Sequence, residues 1–135
     1  MSIWGNHSNT QFPNVYHARI GDERLLDVMK EDKDWLDDEF IKKVSMRGNE
    51  IIEVGGRSSV ASAANAVCDH VRDLWHGTPK GQWSSMGVIS DGNNYGVTED
   101  LNFSFPCKCT GGGNYEIVND LALTTFELTK RNITL

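Results

Sequence analysis

Hydrophobic residues occupy every second position between residues 101 and 109, which is the period of a half-buried strand. Apolar stretches at 83–90 and 115–118 lie on either side of it, separated from it by glycine- and asparagine-rich segments at 91–96 and 110–114. These segments have the composition of hairpin turns, so the pattern predicts an antiparallel three-stranded meander. The alternating residues are Leu101, Phe103, Phe105, Cys107 and Cys109.

A first stretch with helical periodicity spans residues 35–53. Either Asp32 or Asp34 is suited to cap its first turn, because a short acidic side chain bonds the free amides there. Gly55 and Gly56 are expected to end the helix. Its apolar stripe consists of Leu36, Phe40, Val44, Ile51 and Ile52.

A second and clearer helix is predicted for residues 58–76. Ser58 or Ser59 suits the N-cap position, and Gly77 is expected to terminate the helix. Its opening turns are rich in small residues, which allow another element or a ligand to approach closely. The apolar stripe consists of Val60, Ala64, Val67, Val71, Leu74 and Trp75, whereas Asp69, His70, Arg72 and Asp73 are expected on or near the solvated face.

The two ends of the chain carry weaker patterns. Pro13 forces the residue before it into an extended conformation, and residues 15–20 are predicted as a short strand. Residues 121–135 are predicted to begin a further helix, with Thr124 and Glu127 in the positions of a capping box. This helix pattern stops at residue 135 without a cap, which indicates a truncated chain.

Composition excludes several classes of function. The chain has 135 residues, enough for one domain, and a formal net charge of −6. It has no basic cluster, which argues against nucleic acid and against anionic membrane surfaces. No apolar run is long enough to cross a bilayer, and no secretory signal is visible. Three sparse cysteines then favour a reduced, cytoplasmic location.

Metal and phosphate sites find little support in the sequence. Cys107 and Cys109 share one face of a predicted strand with phenylalanines, so we expect both to pack in the core rather than bind a metal. No other cysteine or histidine cluster completes a four-ligand zinc site. The segment 92–96 lacks the lysine and hydroxyl residue of a phosphate loop. We therefore expect no metal site.

The strongest candidate for chemistry is the histidine turn that begins with Ile3 and Trp4 and places His7 between Asn6 and Ser8. Turns at strand ends often carry catalytic side chains, and a neutral histidine can take a proton from a hydroxyl. The alternative is an ordinary loop whose asparagine and serine bond local backbone. No acidic residue adjoins the histidine, so an orienting carboxylate must come from elsewhere in the fold or from outside this chain.

Four segments together resemble the carboxy-terminal half of the cytosolic-type malate dehydrogenases, in the lactate/malate dehydrogenase superfamily. They appear in the family's order and spacing, which makes chance agreement very improbable. A fifth segment, Phe103–Pro106, fits the same family. The four segments are Trp4–Pro13, Arg57–Ala64, Cys68–Trp75 and Ser85–Val97.

The resemblance implies the reversible, NAD-dependent oxidation of malate to oxaloacetate, a reaction of the tricarboxylic acid cycle. It implies that His7 is the proton acceptor, that Ser59 lies beside nicotinamide and substrate, and that Asn6 and Ser8 lie in the same vicinity. It implies an α+β catalytic domain over residues 1–135, an antiparallel sheet packed with long helices and truncated at its last helix. It also implies a homodimer, with the helix at 58–76 near the subunit interface.

The chain departs from the family pattern because the whole dinucleotide-binding half is absent. No Gly-x-Gly-x-x-Gly motif occurs, so no cofactor-binding residue is assigned here. The aspartate that orients the family's histidine and the arginines that clamp its dicarboxylate substrate lie in that half. We therefore expect the chain alone to be inactive. The alternatives are a non-enzymatic truncated paralogue that pairs with a full-length subunit, and a fragment without function.

Overall fold

The chain folds into small antiparallel sheets and α-helices, and the computed structural model describes the backbone of residues 1–133 and the side chains of residues 1–131. The strands are β1 (Ser2–Trp4), β2 (Phe12–Asn14), β3 (Arg19–Ile20), β4 (Glu23–Arg24), β5 (Ser84–Ile89), β6 (Asn102–Gly111) and β7 (Asn114–Ile117). The helices are α1 (Leu25–Val28), α2 (Lys33–Asp37), α3 (Glu39–Gly55), α4 (Ala61–His76) and α5 (Thr125–Ile133). The predicted α+β class is confirmed. Within the described part of the chain, no helix is both long and apolar enough to span a membrane.

The predicted meander is the main sheet, with strand order β5-β6-β7 and antiparallel pairing throughout. Phe103, Phe105, Cys107 and Cys109 on β6 are each at most 2% exposed, so the alternating pattern and the core role of both cysteines are confirmed. Leu101 is the exception, because it precedes the strand and is 41% exposed. Burial raises the pKa of the Cys107 thiol to about 12.

The chain's first strand belongs to the same core. β1 and β2 form a hairpin whose last pair is Trp4 with Phe12, and Gly5 continues toward β6 by bridging Ser104. The Trp4 ring is 1% exposed and meets Phe105 edge to face, with ring centroids 5.9 Å apart. The amino-terminal hairpin is thereby fixed to the most buried strand of the molecule.

The predicted strand at residues 15–20 is wrong over most of its length. The side-chain oxygen of Asn14 accepts a hydrogen bond from the backbone N–H of Tyr16 (2.9 Å), and the N–H of Ala18 donates to the carbonyl of Val15 (2.9 Å). These local bonds turn the chain directly after β2. Extended structure returns only in β3.

The predicted helix at 35–53 is two helices, because Asp38 leaves helical geometry with φ −128° and ψ −75° and separates α2 from α3. Asp32 occupies the N-cap position of α2, but its side chain makes no capping bond. Asp34 lies inside the first turn. The predicted end of the helix is confirmed, since Gly56 adopts the left-handed conformation and its N–H donates to Ile52.

The serine cap predicted for the next helix is also wrong. α4 begins at Ala61, its N-cap is Val60, and no side-chain capping bond forms there. Ser58 and Ser59 are exposed residues of the connection from α3. The predicted end is confirmed, because Gly77 has φ +89° and its N–H donates to the carbonyl of Asp73.

α4 presents a different face to the sheet than its apolar stripe predicts. Asp73 and Leu74 are partly buried, and the Asp73 carboxylate accepts a hydrogen bond from the Ser84 hydroxyl on β5. Val71 and Trp75, which belong to the stripe, are 57% and 65% exposed. The helix therefore packs through the edge of the stripe and leaves most of the stripe uncovered in this chain.

A glycine hairpin between β6 and β7 fixes the carboxyl end of α4. The N–H groups of Gly112 and Gly113 donate to the carbonyls of Trp75 (2.9 Å) and Leu74 (3.1 Å). A side chain at Gly111 would lie 3.3 Å from the Trp75 carbonyl oxygen, so glycine permits this close approach. The hairpin supplies donors to carbonyls that have no partner inside the helix.

The capping box of α5 is confirmed. The N–H of Thr124 donates to the Glu127 carboxylate (2.7 Å), and the N–H of Glu127 donates to the Thr124 hydroxyl (3.3 Å). The helix begins at Thr125 rather than at residue 121. The predicted absence of a cap at residue 135 lies outside the described residues.

Candidate functional site

His7 lies in the turn that joins β1 to β2. The turn starts at Gly5, which is buried and has φ +96°, a conformation that glycine adopts without strain. The chain then leaves the core, and residues 6–10 are all exposed. The fold therefore presents the imidazole to solvent on a short loop whose two ends, Trp4 and Phe12, are at most 3% exposed.

Hydrogen bonds inside the turn come from its polar residues. The N–H of Ser8 donates to the carbonyl of Asn6 (2.8 Å), and the N–H of Gln11 donates to the carbonyl of Ser8 (3.1 Å). The Ser8 hydroxyl lies 2.8 Å from the Thr10 hydroxyl and accepts the Thr10 N–H (3.2 Å). The local bonding expected of an ordinary loop is therefore present, and it gives the histidine turn a defined shape.

The predicted site residues fall into two groups. Asn6, His7 and Ser8 are brought together because they are consecutive in the turn. Ser59 lies in the connection between α3 and α4, and no hydrogen bond or ion pair among the described residues links it to His7. Nor does any carboxylate of the described residues form an ion pair with His7. The described residues thus present an exposed imidazole with which no carboxylate among them forms an ion pair.

A second histidine, His17, lies beside a carboxylate. His17 Nε2 lies 3.4 Å from Oε1 of Glu127, and the carboxylate is fully buried. The same Oε1 accepts a hydrogen bond from the Asn14 amide (2.7 Å). Sequence reasoning missed this cluster, because the capping box identifies Glu127 but no local signal relates it to residues more than 100 positions earlier.

This second cluster is structural in character. The ring of Phe126 lies between Phe12 and Tyr16, with centroid distances of 6.3 and 5.8 Å. The Tyr16 hydroxyl donates to Asp37, and burial raises the pKa of that phenol. Together these contacts attach α5 and α2 to β2 and to the residues that follow it. In sequence, β2 comes directly after the histidine turn.

The described residues give no sign of a metal centre. No group of three or more histidine, cysteine, aspartate or glutamate side chains in the described part of the chain is placed to hold a metal ion.

The whole length of the chain matches one known protein family. Residues 1–135 match the family described as lactate/malate dehydrogenase, alpha/beta C-terminal domain. The chain is 47% identical over 136 residues to the cytoplasmic malate dehydrogenase of Felis catus, with 98% of this chain and 40% of the relative covered. It is 48% identical over 121 residues to the chloroplastic NADP malate dehydrogenase of Pisum sativum, covering 90% of this chain and 27% of the relative.

Solved structures agree with these relatives. The malate dehydrogenase of Naegleria fowleri superposes with a TM-score of 0.87 at 37% identity, covering 98% of this chain and 39% of that chain. The lactate dehydrogenase of Trichomonas vaginalis in complex with NADH and oxamate superposes with a TM-score of 0.88 at 29% identity, covering 99% and 41%. The chain thus spans between 27% and 41% of the length of these relatives.

Proposed function

This chain belongs to the lactate/malate dehydrogenase family, and from that membership we propose that residues 1–135 form the substrate-binding and catalytic domain of a malate dehydrogenase. The proposed reaction is the reversible oxidation of malate to oxaloacetate, which connects the protein to malate metabolism and the tricarboxylic acid cycle. The family and the names of the relatives support an oxidoreductase. The observation that carries the proposal is the exposed imidazole of His7 on a turn with buried ends.

In the proposed mechanism His7 acts as a general base on the substrate hydroxyl. A ring nitrogen of the neutral imidazole takes the hydroxyl proton, and the oxygen's electron pair forms the carbonyl as the adjacent C–H bond breaks. Bound NAD would supply the acceptor for the hydride that leaves that carbon. In the reverse direction His7 returns the proton to the carbonyl oxygen.

The remaining residues of the site have supporting roles in the proposal. Asn6 and Ser8 shape the turn around the base through their backbone and hydroxyl bonds. Ser59 contributes to the vicinity of substrate and nicotinamide. The Trichomonas relative in complex with NADH and oxamate supports a nicotinamide cofactor. The described residues contain no glycine-rich dinucleotide loop, so we assign cofactor binding and the carboxylate that orients His7 to the part of the relatives that this chain does not cover.

Assembly and location follow the same relatives as proposals. We propose a homodimer of the complete enzyme, with α4 near the interface, because Val67, Val71 and Trp75 form an exposed apolar stripe there. Two of the named relatives differ in compartment, one cytoplasmic and one chloroplastic. We propose a cytoplasmic location from the cytoplasmic relatives.

A second candidate function is a non-enzymatic partner that pairs with a full-length dehydrogenase subunit. The exposed stripe on α4 also favours this reading, because an uncovered apolar helix face marks a surface that associates with another protein. The two candidates differ in whether His7 matters. A partner protein needs α4 and not the imidazole.

The test is malate-dependent reduction of NAD by the folded chain, alone and in a hybrid. In the hybrid, this chain replaces the matched 40% of the Felis catus cytoplasmic enzyme. We expect no activity from the chain alone and activity from the hybrid. The His7→Asn variant of the hybrid should lose about 10²- to 10⁴-fold in kcat, the range for removing a general base.

His76→Asn is the matched control, because His76 is an exposed histidine at the end of α4. It should leave kcat unchanged. A hybrid whose kcat survives His7→Asn would contradict the assignment of the base. Association of the chain with a full-length subunit, at an affinity that His7→Asn does not alter, combined with an inactive hybrid, would favour the non-enzymatic partner.

A further inference from the structure

The two edges of β1 form backbone hydrogen bonds with different partners. In an antiparallel strand, successive residues direct their N–H and C=O groups to opposite sides. Gly5 exchanges both backbone bonds with Ser104 on β6, at 3.3 and 2.9 Å. Ile3 has the same parity as Gly5, so its backbone groups also face the main sheet rather than β2.

The ladder between β1 and β6 cannot continue past Gly5. Antiparallel register pairs Gly5 with Ser104, so the next partner, for Ile3, would be Pro106. Proline has no N–H to donate. The carbonyl of Pro106 already accepts a bond from the N–H of Val118 (2.9 Å). Ile3 therefore lies opposite Pro106, which cannot form the backbone hydrogen bonds that would continue the ladder between β1 and β6.

Two serine hydroxyls take over where the ladder stops. The Ser104 hydroxyl donates to the carbonyl of Ile3 at 2.7 Å, and the Ser85 hydroxyl accepts the N–H of Ile3 at 2.9 Å. Ser85 lies opposite Pro106 in the β5–β6 pairing, directly beside the interruption. Both backbone groups of Ile3 are satisfied by side chains from two different strands.

We propose that Ser104, together with Ser85, is a positioning residue for His7, an inference that rests on the proposed role of His7 as the base. Ser104 holds the chain twice, through its backbone at Gly5 and through its hydroxyl at Ile3. His7 follows Gly5 by two residues. These bonds fix the position and direction in which the turn leaves the sheet, and a displacement of about 1 Å can cost a catalytic group about 10²-fold in rate.

The first arm of the test uses the complete chain, labelled with ¹⁵N. In Ser104→Ala, amide exchange at Gly5 and Ile3 should accelerate at least about tenfold, while exchange of the buried Phe105 amide stays within about twofold. Ser104→Thr keeps the hydroxyl and should restore the slow exchange. Unchanged exchange at Gly5 and Ile3 in Ser104→Ala would overturn the proposal.

Ser84→Ala is the matched control for Ser85→Ala. The two serines are neighbours on β5, but the Ser84 hydroxyl bonds to Asp73 on α4 instead of Ile3. We expect Ser85→Ala to accelerate exchange at Ile3 and Ser84→Ala to leave it unchanged. Equal effects of the two variants would overturn the assignment, because they would show a general loosening of β5.

The second arm measures kinetics in the hybrid enzyme. Ser104→Ala should lower kcat about tenfold with KM within about twofold, and Ser104→Thr should restore kcat. If His7→Asn abolishes turnover and Ser104→Ala leaves kcat unchanged, the positioning role is wrong. If His7→Asn itself has no effect, the proposed function fails, while the exchange measurements still report whether Ser104 fixes the turn.

Discussion

The sheet and the long helices of this chain differ in how much of their apolar surface they cover. Trp4, Phe103, Phe105 and Cys107 around β6 are at most 1% exposed. α3 and α4 together contain 33 residues, 17 and 16, and none of them is buried. Both regions have regular hydrophobic patterns in sequence, yet only the pattern of the sheet is satisfied inside the chain.

This difference shows that an amphipathic pattern predicts burial of an apolar face without identifying what buries it. The element that packs on that face need not belong to the same chain. The side of α4 that meets the sheet packs Leu74 against the core and bonds Asp73 to Ser84, while the glycine hairpin bonds the carbonyls of Leu74 and Trp75.

The largest test of this comparison replaces one tryptophan from each region. Trp4→Ala removes a ring that is 1% exposed and should lower the free energy of unfolding by about 3–5 kcal/mol. Trp75→Ala removes a ring that is 65% exposed and should change it by no more than about 0.5 kcal/mol. Urea unfolding followed by circular dichroism measures both. A large loss with Trp75→Ala that does not depend on protein concentration would mean that α4 covers its stripe within one chain in solution.

An effect of intermediate size is expected in the pH dependence of the free energy of unfolding. Because burial raises the folded-state pKa of Cys107 to about 12, its contribution to stability is complete below the unfolded-state pKa and is lost as the pH rises toward 12. Above an unfolded-state pKa of about 8.5, the loss is about 1.4 kcal/mol per pH unit, or about 2 kcal/mol by pH 10.

Variants separate this thiol from other groups that titrate in the same range. Cys107→Ala should weaken the pH dependence of unfolding between pH 8 and 10, whereas replacing the exposed Cys68 by alanine should not. In the folded chain at pH 8, Cys68 should react rapidly with a thiol reagent and Cys107 only after unfolding. Equal reactivity of the two would contradict the burial of β6.

The smallest expected effect concerns the attachment of α5. In Glu127→Gln, one accepting oxygen becomes a donor that faces either the Thr124 N–H or the Asn14 amide, so we expect a loss of about 1–2 kcal/mol. Glu50→Gln is the control, because Glu50 is an exposed partner of Arg47 on α3 and should matter by no more than about 0.5 kcal/mol. Thermal unfolding of both variants makes the comparison, and equal shifts would argue against a special role for the buried carboxylate.

Local signals in the sequence predict much of this fold. The alternation on β6, the glycine ends of α3 and α4, and the capping box of α5 depend on neighbours in sequence, and the structure contains all of them. Two errors are local as well, because an alternating or small-residue pattern did not exclude a turn or fix the first residue of a helix. The side chain of Asn14 turns the chain where a strand was predicted, and Val60 takes the N-cap position where serine was expected.

In the candidate site, the sequence predicts the features that are local and misses those that depend on distant residues. The sequence identifies the histidine turn because its residues are consecutive, and the structure adds how the turn is held. The role of Ser104 could not be predicted, since it depends on the register between two strands about 100 residues apart. The pairing of His17 with Glu127 was missed for the same reason.

The glycine hairpin makes α4 a lever clamped at one end. Its carboxyl end is bonded to Gly112 and Gly113, while residues 61–69 are all exposed. At about 1.5 Å per residue the helix is about 24 Å long, so a rotation of about 5° at the clamp moves the far end by about 2 Å. Ser59 lies just beyond that far end. Any rotation of α4 about this end therefore moves the segment that carries Ser59 further than it moves the residues bonded to the glycine hairpin.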